Sequence, residues 1–266
     1  MTVVVFAGPS IHGIPSQFLD GFTVFPPAAC GDVARSVRDG ATAVALIDGL
    51  FETTASVWHK ELLWALSKGV RLFGSSSMGA LRAAEMWPFG MIGFGLVYRL
   101  YRRGSIIDDD EVAILHGPLE AGCIPLTEAM VNIRVTLRRA RQLGMITADA
   151  EREISRVAKS LYYKDRTLDR ILKLSCDKLA LKEHVFELHR KLGGIRRDVK
   201  RDDAILLLSR LRNLPKNGPA RTQIEFPRTS FWDAFEYEHV CPDKVRERTG
   251  GNGICLQYRT GTIANQ

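Results

Sequence analysis

The chain has no pair of cysteines spaced as a metal knuckle or a redox motif would space them. Its five, Cys30, Cys123, Cys176, Cys241 and Cys255, are odd in number and far apart. That pattern argues against a zinc ribbon and a disulfide framework, and it points to a reducing, cytoplasmic compartment. No apolar run approaches the ~18 residues that cross a bilayer, so no membrane partner is expected. The opening M-T-V-V-V-F-A-G carries neither a basic leader nor a cleavage site, and no secretion signal is expected. Neither G-x-x-x-x-G-K-[ST] nor G-x-G-x-x-G occurs, so no standard nucleotide loop is present and no cofactor is expected on this chain. No His/Cys cluster has metal-ligand spacing, and no metal site is expected. There is no internal repeat.

What remains is the composition of an ordinary globular protein. A length of 266 residues, 45% hydrophobic and 25% charged, suits one large or two small domains with a real core. The net charge of +7 is unevenly held. Residues 1–131 carry 9 Lys/Arg against 13 Asp/Glu, and residues 132–266 carry 28 against 17. A basic second half suggests an acidic partner. Its cations alternate with acids along helices, however, which is the pattern of a solvated face, so nucleic acid is not the expected partner.

The first half alternates strands with helices. Val3–Ala7, Phe22–Phe25, Ala43–Ile47 and Val70–Phe73 read as short strands, each halted by Gly, Pro, Ser or Asp. Helices are expected over Gly31–Asp39 and over residues 53–69, with Thr54 or Ser56 capping the latter. Such alternation makes a parallel, Rossmann-like sheet, whose crevice lies beyond the carboxyl ends of its strands. Those ends bring Ser10, Asp48, Glu52 and Ser75–Ser77 to one edge.

The stretch V-R-L-F-G-S-S-S-M-G-A-L-R-A-A-E (70–85) organises that edge. A strand entering a helix through Gly and Ser leaves backbone N–H groups unpaired at the helix start, a ready anion seat. Ser77 has small residues two before it (Ser75) and two after it (Gly79), close to the nucleophile elbow of hydrolases. Two readings stay open: Ser77 as a nucleophile, or the turn as a seat that binds an anion without reacting. Ser75, Ser76, the Met78 N–H and Arg82 belong to the seat under either reading. The base is open as well. His59, in the first turn of the helix after the third strand, competes with His116, and Lys60 and Glu61 can orient or replace His59. His12 lies in a loop near Ser10. Cys30, near a helix start, reads either as a sulfur-handling thiol or as a packed side chain.

Beyond Glu85 the pattern turns helical. Met91–Arg102 reads as an apolar helix. The run Asp108–Glu111 suits the positive end of a helix start, solvated rather than metal-bound. Thr127–Leu143 reads as a basic helix, and 149–174, 179–192 and 198–213 as a bundle. These patterns divide the chain into an α/β core (1–131), a helical region (132–214) and an irregular or partly disordered tail (215–266).

Six segments carry a family resemblance: V-F-A-G-P-S (5–10), A-L-I-D-G-L-F-E (45–52), W-H-K-E-L-L-W-A-L (58–66), F-G-S-S-S-M-G-A-L-R-A-A-E (73–85), D-D-D-E-V-A-I-L-H-G-P (108–118) and L-T-E-A-M-V-N-I-R (126–134). In these the first half resembles the TfuA family, named for the trifolitoxin cluster. The second half resembles it only in being helical. The resemblance implies partnership with a YcaO protein, which uses ATP and Mg to activate a backbone amide of a precursor peptide so that sulfide replaces its oxygen. In some relatives the YcaO product is an azoline instead. The TfuA protein is then expected to recruit a ubiquitin-like sulfur carrier with a C-terminal thiocarboxylate and to release sulfide by hydrolysis. The alternative is a non-catalytic subunit that docks on the YcaO partner.

Overall fold

The computed structural model describes residues 2–50, 52, 54–178, 185–214 and 224–240. Five short strands, β1 (Val3–Phe6), β2 (Thr23–Phe25), β3 (Ala43–Leu46), β4 (Arg71–Ser75) and β5 (Ile92–Phe94), form one parallel sheet in the order β2-β1-β3-β4-β5. Phe6, Leu46 and Gly74 are in register, so the segments that follow them leave the sheet at one level. The strand order reverses between β1 and β3, where sheets of this kind open their crevice.

Alternation along the strands supplies two apolar faces. Val4, Phe6, Val44, Leu46 and Leu72 pack on one side against α1 (Asp32–Arg38), α2 (His59–Ser67) and α3 (Met78–Met86). Val3, Val5, Ala43, Ala45, Ile47 and Phe73 face the other way. What covers them comes from far along the chain: Ala204, Leu207, Leu208 and Leu211 of α9 (Val199–Arg212). Between α3 and α9 in the chain come α4 (Gly95–Arg102), α5 (Met130–Gln142), α6 (Ala148–Ser160), α7 (Leu168–Lys178) and α8 (Val185–Ile195). The last four build a separate cluster around Met130, Leu137, Ile154, Ile171 and Leu192. Among the described residues no helix is long and apolar enough to cross a membrane.

The structure departs from the sequence reading in several places. The helix expected over Met91–Arg102 opens with strand β5 and becomes helical only at Gly95, whose φ of 95° turns the chain. Neither Thr54 nor Ser56 caps α2. The helix starts at His59, and the Glu61 carboxylate accepts the Trp58 N–H instead. The run 149–174 is broken at 161–167, where Arg166 is fully buried and donates to the carbonyls of Ala158, Asp110 and Leu161. The acids at 108–111 begin no α-helix. Asp109–Glu111 is a single 3-10 turn clamped by cations: Arg134 grips Glu111 at 2.9 Å through two nitrogens, Arg166 meets Asp110 at 2.7 Å, and Lys159 reaches Asp108, Asp110 and Glu111.

The expected boundary at residue 131 falls in the first turn of α5, and α9 belongs to the sheet it covers. Met1–Pro227 forms one compact unit, and Arg228–Gln266 a second. In the second unit, residues expected to be irregular form α10 (Ser230–Phe235), with the Trp232 N–H on Thr229 Oγ1, and a π turn over Glu236–Val240. Residues 224–229 carry no helix or strand, as expected, and the rest of the expected tail, 215–223 and 241–266, lies outside the described residues, as do Cys241 and Cys255.

Candidate functional site

At the carboxyl edge between β1 and β3 the two loops are locked together. Asp48, 2% exposed, accepts the N–H groups of Gly8 (2.8 Å) and Ser10 (3.0 Å) on one carboxylate oxygen and the Ser10 hydroxyl (2.6 Å) on the other. Ser76 Oγ donates to Ser10 Oγ at 2.7 Å, extending the chain of hydrogen bonds into the loop after β4. Ser76 has φ 68°, the left-handed conformation that a side chain rarely adopts, and this sharp turn carries strand into helix. Ser75 Oγ faces the other way, its single O–H shared between the carbonyls of Phe94 (3.0 Å) and Asp203 (2.9 Å), which ties β4 to β5 and α9.

Ser77 stands at the end of this turn, and its hydroxyl has no hydrogen-bond partner among the described residues. It borders a cavity of about 190 Å³ together with Asp48, Gly49, His116, Tyr163, Lys164 and Lys200. Of the first N–H groups of α3, that of Gly79 goes to Ile47 O and those of Ala80 and Leu81 to Ser77 O. The Met78 N–H is left as the donor at the helix mouth, where negative charge is favoured.

The roof is the loop from Val112 to Thr127, held by its own hydrogen bonds: Gly117 N–H to Ile124 O, Leu126 N–H to Leu115 O, and Leu115 N–H to Thr127 Oγ1. It presents His116, whose Nδ1 lies 2.7 Å from Gly117 O. A carbonyl only accepts, so Nδ1 carries the proton and neutral His116 keeps Nε2 as a base. At the rim, Glu52 accepts the Tyr162 and Tyr163 hydroxyls and pairs with Lys164 at 2.9 Å. The Lys164 contact and these hydroxyls hold the exposed Glu52 carboxyl down at about 2. Burial and Glu52 push the Tyr163 hydroxyl up.

Other residues expected at the site lie elsewhere. His59 Nε2 is 2.7 Å from Glu85 Oε2, half-exposed, and does not border the cavity. It stands in the first turn of α2 as expected, but its ring is held against Glu85 of α3. Lys60 lies over the Phe226 ring. Glu61 is fully buried and accepts four backbone contacts, from Trp58, Ala34 and twice Gly31, which makes it the pin between α1 and α2. Arg82 donates to Val57 O, Ser56 Oγ and Glu85, away from the cavity. His12 Nδ1 is 3.0 Å from Gly122 O on the exposed side of the loop. Cys30, Cys123 and Cys176 form no disulfide. Of the two candidate bases, His116 is the one that shares the cavity with Ser77.

Sequence reasoning missed Tyr163, Lys164 and Lys200. The Y-Y-K triplet at 162–164 breaks a helical pattern, and that break was a usable signal. Lys200 gave none: it opens a charged helix like any solvated cation.

A five-stranded parallel sheet with helices on both faces, and a serine-and-carboxylate crevice where its strand order reverses, defines an α/β protein of the doubly wound class. Within that class, residues 48–167 match the family described as TfuA-like protein. No curated protein matches the chain. The match begins at Asp48 and contains Ser77, His116 and Lys164, while Ser10 and Lys200 lie outside it. The match supports an accessory role in peptide modification in general.

Proposed function

We propose that this protein serves a YcaO partner by hydrolysing the C-terminal thiocarboxylate of a ubiquitin-like sulfur carrier, so that the released sulfide enters a backbone amide of a ribosomal precursor peptide as a thioamide. ATP and Mg belong to the partner. The observation that carries the reading is the unpartnered Ser77 hydroxyl in one cavity with a His116 whose tautomer leaves Nε2 bare. Ser77 Oγ attacks the thiocarboxylate carbon while His116 Nε2 takes its proton. The C–S bond then breaks, the proton passes to the departing sulfur, and hydrosulfide leaves an ester on Ser77. Water, deprotonated by His116, cleaves that ester to release the carrier's carboxylate and restore the serine. The Met78 N–H donates to the oxyanion, a contact of a kind worth roughly a hundred- to a thousandfold in rate.

The test is sulfide release from a thiocarboxylated carrier by the purified protein without its partner. Ser77→Ala and His116→Ala are expected to lose at least about a hundredfold of the rate. Equal release by wild type and Ser77→Ala sinks the catalytic reading and favours a docking subunit.

A further inference from the structure

Lys200 is an expensive residue to keep where it is. It lies in the first turn of α9, at the positive end of the helix dipole, and is 3% exposed. Among the described residues no carboxylate comes within 4.0 Å of its Nζ. Asp48 and Asp198 act on it only through space, and burial holds its ammonium below the usual lysine range. Its one described hydrogen bond is to Val112 O at 2.7 Å, which leaves two of three N–H groups to spare. The backbone around it is fixed: Asn132 Oδ1 accepts the Val199 N–H at 2.9 Å, and Asp198 Oδ1 accepts the Arg201 N–H. The side chain is therefore aimed, and it borders the Ser77 cavity.

The other charges at the cavity are already engaged. Asp48 is occupied by Gly8 and Ser10, and Lys164 by Glu52. We infer that Lys200 is the seat for the ionised end of the substrate: a carboxylate-class monoanion at the tip of a polypeptide, drawn in beside Ser77. The inference rests on the hydrolytic reading and names its substrate determinant. A cavity of about 190 Å³ is small beside the ~300–1,000 Å³ of ordinary ligand pockets, so it takes a chain end and not a whole ligand. One cation beside Asp48 matches one negative charge, whereas a phosphate dianion brings surplus charge next to that carboxylate. Pairing with the ammonium also serves the chemistry. A nucleophile approaching an ionised thiocarboxylate builds a second negative charge, and Lys200 neutralises the first.

The experiment is a binding titration of the full chain. Its probes are a flexible Gly/Ser peptide ending in a free carboxylate, the same peptide ending in a carboxamide, and inorganic phosphate. Wild type is expected to bind the carboxylate peptide at least tenfold more tightly than the amide, with phosphate failing to displace it. Lys200→Gln keeps a donor for Val112 O, Lys200→Met keeps the shape, and both are expected to lose the preference while retaining a cooperative melt. Ser77→Ala is expected to retain it. No preference in wild type, a preference that survives in Lys200→Gln, or displacement by phosphate overturns the assignment. Sulfide release reads the hydrolytic step separately: a carboxylate preference with no sulfide release leaves the Lys200 seat standing and removes only the hydrolysis.

Discussion

Two buried carboxyl groups outside the cavity set how the protein responds to pH. Burial pushes Glu61 up to about 7 and Asp203 up to about 6, in each case outweighing the backbone N–H groups that favour the charged form. Both values lie above those of the unfolded chain, so as pH rises the unfolded state releases these protons first. Stability present below about pH 4 is therefore lost as pH climbs through about 7. The expected slope is on the order of 1 kcal/mol per pH unit between pH 5 and 7, read by urea unfolding. Glu61→Gln is expected to flatten it, and an unchanged slope in that variant refutes the assignment. Lys200 belongs to this scale too, and shows why part of the site was illegible. Ser10, Asp48 and Ser77 follow strands, so topology alone sends them to one edge. Nothing local marks a lysine 152 residues after Asp48 as the group that faces it.

At the scale of elements, the approach of α3 to the sheet leaves no room for a side chain. A Cβ on Gly79 would stand 1.7 Å from Leu46 O, and one on Gly74 would stand 2.0 Å from Gly79 O. Leu46 O is backbone and cannot yield without moving β3. Gly79→Ala is expected to cost about 3 kcal/mol or more, at the upper end of overpacking effects, and to displace Ser77. Urea unfolding together with the sulfide assay reads both, and a variant with wild-type stability contradicts the packing. Strands β1 and β3 were legible because V-V-V-F and A-V-A-L are continuous apolar runs, as strands buried on both faces must be. β5 was not. It is three residues, I-G-F, running straight into a helix-forming stretch, and only the β4 edge makes a strand of it. The acidic turn at 108–111 was legible as charge but not as structure, because its partners come from α5, α6 and Arg166.

For the whole molecule, the division by sequence pattern into a sheet half and a helical half misleads, since α9 returns to close the sheet. Leu207, Leu208 and Leu211 are each at most 3% exposed, and burying each contributes roughly 1.5–3 kcal/mol. A chain ending at Arg197 keeps everything the family match covers yet bares Val3, Val5, Ala45 and Phe73. It is expected to bind a hydrophobic dye and to melt without a sharp transition. A cooperative melt like that of the full chain counts against α9 as part of the sheet layer. Because Lys200 rides on that last covering helix, the cavity gains its buried cation only when the sheet gains its second apolar cover, so the completeness of the crevice is coupled to the completeness of the fold.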